Sequence, residues 1–260
     1  MTKEEILVQL SSLLDVMDEL RIKCPWDKEQ TWETLRTLTI EETYELSDAI
    51  IQKDATEIKK ELGDLLLHIV FYSKIGAEKG IFDLGDVTKS LIDKLKRRHP
   101  HIYGTVIAKD ANRVKQNWEQ IKLTEKGNKK NGVLDGVPKG LTGIVKAYRM
   151  QEKASQVGFD WNNPMDAFKK VEEEWIEFQT AKTQDEKIGE FGDYLFSLIN
   201  YARLSGINSD DALELTNQKF IQRFKRIEAM AENEGKSLKD MTLSEMDALW
   251  NLVKKSEQGP

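Results

Sequence analysis

Two acidic pairs at helical spacing occur twice along the chain, and this duplication constrains the fold more than any other feature of the sequence. In the second copy the pairs are Glu174 with Glu177 and Glu190 with Asp193. Residues that lie three apart share one face of an α-helix. Between the pairs, Thr183 precedes Glu186 by three residues, a spacing typical of the capping box that begins a helix. The sequence therefore predicts two consecutive helices, each with a pair of carboxylates on one face.

A short connection between these helices would bring their carboxylates together. Consecutive helices joined by a few residues pack as antiparallel neighbours, so the acidic side chains should converge on one small volume. Like charges one turn apart destabilise a helix by about 0.2 to 0.5 kcal/mol per pair, and pairs held away from water cost more. A cation would offset this repulsion, and ligand sets made of oxygen suit a hard cation such as Mg²⁺ or Mn²⁺. The alternative is that the acids form solvated helix faces.

The first half of the chain repeats the pattern. Its acidic pairs are Glu42 with Glu45 and Glu61 with Asp64. Each copy is followed by two basic residues at a spacing of four and then by a tryptophan: Lys94, Arg98 and Trp118 in the first copy, and Lys219, Arg223 and Trp250 in the second. Solvated faces have no reason to repeat carboxylates, cations and tryptophans together. The repeat therefore favours a metal site in each half.

The same repeat predicts the organisation of the fold. No segment of useful length alternates with the period of a strand, so we expect an all-α protein. We expect a tandem repeat of two helical-bundle domains, residues 1–125 and 141–260, joined by a linker at residues 126–140 that is rich in Gly, Lys and Asn. The apolar run LLLHIVFY at residues 65–72 predicts the centre of the first bundle. Gly63 and Gly192 each stand between a Glu and an Asp, which predicts close approach of a backbone or a ligand.

Charge and composition exclude several classes of protein. The chain of 260 residues carries a formal net charge of -6, which argues against a nucleic-acid-binding or membrane-binding surface. A single cysteine, Cys24, excludes an internal disulfide framework and is typical of a reducing compartment. The N-terminal segment lacks the pattern of a signal peptide, and no apolar run approaches the roughly 20 residues that span a bilayer. We therefore expect a cytoplasmic protein.

The residues around the second copy predict a site for a nucleoside polyphosphate. Mg²⁺ is commonly shared between protein carboxylates and substrate phosphates, and it activates a bound water for attack on phosphorus. Lys219 and Arg223 would stabilise charge on the phosphoryl oxygens, and Trp250 would contact the base or the sugar. The alternatives are that Lys219 and Arg223 pair with surface acids and that Trp250 is part of the core.

Several motifs resemble those of the MazG family of nucleoside triphosphate pyrophosphohydrolases, and the resemblance spans nearly the whole chain. They are CPWD at residues 24–27, EETYE at 41–45, ELGD at 61–64, DGVPKG at 135–140, GFDW at 158–161, EEEWIE at 172–177, GEFGD at 189–193, NYAR at 200–203 and KFIQRF at 219–224. The resemblance implies an all-α, tandem-domain enzyme that forms a homodimer. It also implies Mg²⁺-dependent hydrolysis of nucleoside triphosphates between the α and β phosphates, with a monophosphate and pyrophosphate as products.

The resemblance further implies roles for individual residues. The family's metal-binding and catalytic carboxylates match Glu174, Glu177, Glu190 and Asp193, and its nucleotide contacts match Lys219, Arg223 and Trp250. Lys170 and Lys187 each lie one turn before a ligand, where they would reach phosphate or form a salt bridge within their helix. The first copy keeps its acids, but KLKRRH at residues 94–99 replaces KFIQRF and no segment matches NYAR. We therefore expect the second domain to be the main catalytic unit.

Two other functions fit part of the pattern. A di-iron helical bundle also places Glu residues on facing helices, but that class uses a Glu-x-x-His motif where this chain has Glu-x-x-Glu and Glu-x-x-Asp. A non-catalytic sensor of the same fold would bind metal and nucleotide while excluding water. Release of pyrophosphate from a mixture of triphosphates would distinguish the enzyme from the sensor.

Overall fold

The computed structural model describes residues 1–107, 110, 114, 117–118, 121 and 132–257. Throughout these residues the regular structure is helical and contains no strand, so the predicted all-α class is confirmed. The chain divides into two compact units, Met1–Lys126 and Gly127–Pro260. Residues 126–131 of the predicted linker lie outside the described residues, and the bounds of the linker remain a prediction.

The first unit is built from a long helix pair with further helices packed on it. Its described helices are α1 (Lys3–Lys23), α2 (Pro25–Glu29), α3 (Trp32–Gln52), α4 (Ala55–Glu78), α5 (Leu84–Arg98) and α6 (Pro100–Tyr103). Helices α3 and α4 form the most extensive pair, and α1 packs against α4. The buried core joins these three helices through Met17, Leu35, Val70, Phe71 and Ile75.

The second unit is built around another long helix pair. Its described elements are a 3₁₀ turn (Val133–Gly136), α7 (Gly143–Gln156), α8 (Pro164–Thr180), α9 (Gln184–Leu204), α10 (Ser209–Asn233), a second 3₁₀ turn (Leu238–Asp240) and α11 (Leu243–Glu257). Helices α8 and α9 form the most extensive pair, and α7 packs against both α9 and α10. A separate core joins α10 to α11 through Ile227, Ala231, Leu249 and Val253.

Side-chain caps fix where the second helix of each pair begins. The Asp54 carboxylate accepts hydrogen bonds from the backbone N–H groups of Thr56 at 2.9 Å and Glu57 at 3.2 Å. The predicted capping box at the start of α9 is confirmed, because Thr183 and Glu186 each accept a hydrogen bond from the backbone of the other. Such caps satisfy N–H groups that have no partner within the helix. The connections consist of residues 53–54 and 181–183. Because both are short, the helices of each pair are adjacent.

Helix α4 packs against α1, α3 and α5, so the prediction that its apolar run forms the centre of this bundle is confirmed. Phe71 is 2% exposed, whereas Ile69 is 48% exposed and Leu62 also faces outward. The burial is not complete, since Leu62 and Ile69 lie on one exposed stripe, although the buried residues Val70, Phe71 and Ser73 lie on different sides of the helix. None of the described helices combines the length and the apolar composition that spanning a bilayer requires.

Candidate functional site

Carboxylates from α8 and α9 meet in the second unit. One carboxylate oxygen from each of Glu174, Glu177 and Glu190 lies within 4.8 Å of the others, a group that we call the second acidic cluster. Glu174 is 6% exposed and Glu177 faces solvent, so the cluster runs from the interior to the surface. Asp193, the fourth predicted ligand, is not part of this group; it lines a cavity together with Glu174. The structure thus brings three of the predicted acids together and places the fourth beside them.

A lysine neutralises part of the second acidic cluster. The Lys170 ammonium lies 2.7 Å from Glu174 Oε1 and 2.8 Å from Glu173 Oε1. These hydrogen bonds raise the pKa of Lys170, which therefore stays charged. Although Glu177 is exposed, partial loss of hydration beside its neighbours and the charges of Glu174 and Glu190 raise its pKa, despite the opposing effect of Lys170. One ammonium group does not balance the converging carboxylates, and a further cation would stabilise them.

The first unit has the same arrangement on α3 and α4. One carboxylate oxygen from each of Glu42, Glu45 and Glu61 lies within 4.8 Å of the others, the first acidic cluster. Glu61 is 2% exposed, and its Oε1 accepts a hydrogen bond of 2.8 Å from Lys60. Its Oε2 is buried and has no hydrogen-bond partner among the described residues. Asp64 lies outside the group, and its charge adds to burial in raising the pKa of Glu42.

Both acidic clusters fit a divalent cation. A buried carboxylate oxygen without a partner is costly, and the unpaired Glu61 Oε2 is the kind of atom that a metal satisfies. The donor sets consist of carboxylate oxygens, which suit hard cations of the Mg²⁺ type. The acidic clusters could therefore hold a divalent metal ion.

The raised pKa of Glu177 predicts how metal-free stability depends on pH. Because the folded protein holds the Glu177 proton more tightly than the unfolded chain, whose carboxyl has a pKa near 4.5, the free energy of unfolding falls as pH rises through that value. Glu177→Gln removes this titration. In EDTA we expect Glu177→Gln to raise the melting temperature at neutral pH and to change it little below pH 4.5. The exposed Glu172→Gln is the matched control, and an equal shift at both pH values would contradict the prediction.

The predicted basic and aromatic contacts lie on α10 and α11. Lys219 is exposed on α10. The Arg223 guanidinium forms an ion pair of 2.8 Å with Glu257 and lies 5.6 Å from the centre of the Trp250 ring. Trp250 also packs on Phe220 and on the core between α10 and α11. In this chain these three residues do not line the cavity beside the second acidic cluster, and their contact with substrate remains a prediction.

The two lysines and two glycines singled out by the sequence have different surroundings. Lys170 forms the salt bridge that the sequence offered as one of its two roles, and it also lines the cavity. Lys187 is exposed on α9. A side chain added at Gly63 or Gly192 would meet no atom of the described residues within 4 Å. The prediction that another part of the backbone approaches these glycines closely is therefore wrong. The alternative, that a ligand approaches them, remains a prediction.

A cavity of about 580 Å³ lies next to Glu174 and Asp193. Its size falls within the roughly 300 to 1,000 Å³ typical of small-molecule sites. Its walls are mostly apolar and include Met150, Phe159, Trp161 and Phe196. Arg203 on its wall pairs with Asp160, and it also donates hydrogen bonds of 2.9 and 3.2 Å to Asn200 Oδ1. One cavity thus joins an apolar, aromatic part to two carboxylates and the Lys170 ammonium.

Most residues of this cavity had no role predicted from the sequence. Phe159, Asp160 and Trp161 belong to the GFDW motif, and Asn200 and Arg203 to the NYAR motif, which were noted as motifs without a role. The pairing of Asp160 with Arg203 joins the two motifs across 43 positions of sequence. Gln151 also lines the cavity, and no motif contains it. The sequence signal that could have indicated this cavity is that GFDW and NYAR occur together in the second half and not in the first.

Comparison with known proteins gives consistent matches. The profile of the MazG nucleotide pyrophosphohydrolase domain matches residues 30–103. The chain is 39% identical to the nucleoside triphosphate pyrophosphohydrolase/pyrophosphatase MazG of Thermotoga maritima, over 98% of this chain and 99% of that protein. It is 37% identical to the nucleoside triphosphate pyrophosphohydrolase of Escherichia coli K12, over 96% of this chain and 98% of that protein. It is also 43% identical to the uncharacterized protein YabN of Bacillus subtilis, of which it covers 54%.

Proposed function

The chain belongs to the MazG family, and from that premise we propose how its residues perform the hydrolysis of nucleoside triphosphates to monophosphates and pyrophosphate. The observation that carries the proposal is the cavity in the second unit, because it places an apolar space and an acidic cluster side by side. A nucleoside triphosphate has the same division, with a flat base at one end and a charged phosphate chain at the other. We infer that the phosphates lie toward Glu174 and Asp193.

The acidic side chains would hold the metal that the phosphates require. We propose that Glu174, Glu177, Glu190 and Asp193 bind Mg²⁺, for which Mn²⁺ would substitute. When bound, the ion would supply charge neutralisation and a water of lowered pKa. Lys170 orients Glu174 through their ion pair and keeps one side of that carboxylate occupied. Lys219, Arg223, Trp250 and Lys187 are proposed as further contacts to the nucleotide.

A product assay tests this function directly. The full chain with Mg²⁺ and a mixture of nucleoside triphosphates should release pyrophosphate in equal amount to monophosphate, and EDTA should stop the reaction. Release of orthophosphate without pyrophosphate would mean cleavage at the γ phosphate and would contradict the proposal. Tight binding of nucleotide with no product would instead support the non-catalytic sensor, which is the second candidate.

We further propose that the second unit is the main catalytic unit, that the protein acts in the cytoplasm, and that it forms a homodimer. Apolar side chains exposed on α8 and α9 support the dimer, since Trp175, Ile188 and Phe191 would be covered by a second copy. Sedimentation equilibrium measures the mass in solution, and a monomer at micromolar concentration would contradict the dimer.

A further inference from the structure

Glu257 on α11 is the acid that pairs with Arg223. Its Oε2 accepts a hydrogen bond of 2.9 Å from Arg223 Nε and lies 2.8 Å from Arg223 Nη2. Its Oε1 accepts a hydrogen bond of 3.3 Å from Arg226 Nη1. One carboxylate thus binds two guanidinium groups, and because two positive charges outweigh one negative charge, the group stays cationic. The surface around Arg223 therefore still attracts phosphate.

Arg223 has little freedom in this arrangement. Its side chain is 15% exposed, and its guanidinium lies over the Trp250 ring at 5.6 Å from the ring centre. The Trp250 ring is in turn held by Phe220, at 5.2 Å between ring centres, and by the core between α10 and α11. Arg223 Nη1 has no hydrogen-bond partner among the described residues. Arg223 therefore presents free N–H groups in a fixed orientation.

The placement of an arginine over a tryptophan recurs in the first unit. Arg98 lies 5.4 Å from the centre of the Trp118 ring. Each arginine follows a lysine by four residues, Lys94 in the first unit and Lys219 in the second. A chance surface contact would have no reason to recur at matching positions of a repeat. The arrangement is therefore a property of the fold.

A guanidinium that is already ordered binds phosphate better than a mobile one. Arginine has a long side chain with many rotamers, and ordering it during binding lowers the affinity. Glu257 and Trp250 order Arg223 before a ligand binds. The free N–H groups of such a guanidinium can then donate charge-assisted hydrogen bonds to phosphate oxygens.

We propose that Glu257 is a positioning residue for the nucleotide: it holds Arg223 over Trp250 and keeps Arg223 Nη1 available to the triphosphate. This inference rests on the proposed function and deepens it, because Arg223 is one of the nucleotide contacts proposed there. The ion pair with an acid thus prepares Arg223 for substrate and does not withdraw it from the site. Arg226 shares the carboxylate and so limits how strongly that carboxylate repels phosphate.

Binding of a triphosphate that cannot be cleaved measures this role apart from turnover. The dissociation constant of α,β-methylene ATP is measured for the full chain with Mg²⁺ by isothermal titration calorimetry. We expect Glu257→Ala to raise this constant about five- to tenfold, because Arg223 must then be ordered during binding. Glu257→Gln keeps an acceptor for Arg223 and should raise it by no more than about twofold. Glu228→Ala, at an exposed position of α10, is the matched control and should leave it unchanged.

A double-mutant cycle determines whether Glu257 acts through Arg223. Arg223→Gln should weaken binding at least as much as Glu257→Ala does. Adding Glu257→Ala to Arg223→Gln should weaken binding little further, because the side chain that Glu257 orients is gone. An equal effect of Glu257→Ala in both backgrounds would mean that Glu257 only supports the fold, and it would overturn the inference. Tighter binding by Glu257→Ala would mean that the carboxylate competes with phosphate, which would overturn it as well.

Pyrophosphate release by the same proteins separates this inference from the proposed function. Unchanged binding by Glu257→Ala would overturn the role of Glu257 while pyrophosphate release by the wild-type chain stands. Absence of pyrophosphate from every triphosphate would overturn the function itself, whatever the dissociation constants. If Glu257→Ala does not fold, Glu257→Asp keeps the charge but shortens the reach to Arg223. It should weaken binding by more than about twofold, and binding equal to that of the wild-type chain would contradict the inference.

Discussion

Glu174→Gln is expected to lower pyrophosphate release by at least a factor of about one hundred, the scale on which removing a single group that stabilises transition-state charge acts. Glu174 is the buried member of the second acidic cluster and also lines the cavity, so it touches both the proposed metal and the space for substrate. Glutamine keeps the shape and removes the charge. The measurement is kcat with saturating triphosphate and Mg²⁺. Glu172→Gln, two residues earlier and exposed, should retain wild-type activity.

The folded state should survive this substitution. Removing one of three converging negative charges relieves repulsion when no metal is bound, so we expect the melting temperature of Glu174→Gln in EDTA not to fall below that of the wild-type chain. Lys170 keeps Glu173 as a partner at 2.8 Å. Wild-type turnover by Glu174→Gln would refute the assignment of the site to the second acidic cluster. A lower melting temperature would mean that the loss of activity reflects folding, and Glu177→Gln would then be the deciding variant.

Phe71→Ala is expected to destabilise the first unit by about 3 to 5 kcal/mol, the usual cost of removing a buried aromatic ring. Phe71 is 2% exposed and packs with Met17, Leu35 and Ile75. Its ring also lies 5.4 Å from the Arg21 guanidinium. Chemical denaturation followed by circular dichroism measures the change in unfolding free energy. Ile69→Ala, on the exposed face of the same helix, should cost much less.

This variant also tests the proposal that the second unit is the main catalytic unit. The second acidic cluster and the cavity are built from residues of the second unit alone. We therefore expect Phe71→Ala to retain pyrophosphate release after the first unit has unfolded. Loss of activity in parallel with that unfolding would contradict a separate catalytic unit. An effect of Ile69→Ala as large as that of Phe71→Ala would show that the exposed face of α4 is covered in solution.

Local spacing explains why much of the fold was predictable. The acidic pairs, the Asp54 cap and the Thr183 capping box depend on neighbours three or four residues away, which a sequence displays directly. The meeting of Glu174 with Glu190 followed from one short connection. Asp193 was expected in the same group because it shares a face with Glu190. The structure places it one turn further along α9, on the wall of the cavity.

The cavity was not predictable in the same way. It depends on contacts between α7, α8 and α9, and neither the period nor the spacing of residues reports such contacts. Gln151 lies 45 positions before Phe196, the residue whose carbonyl fixes its amide. The exposed face of α4 shows a related limit, since an apolar run indicates which residues avoid water without indicating what covers them.

The cap at Asp54 has a consequence for changes in chain length. Because Asp54 sets the first residue of α4, each residue between it and Glu61 turns the helix by about 100°. One insertion or deletion in that segment would swing Glu61 away from Glu42 and Glu45 and present a different side chain to them. The acidic cluster of the first unit thus depends on the rotational phase of α4 as much as on the identity of its acids, and a change at residues outside the cluster can abolish it.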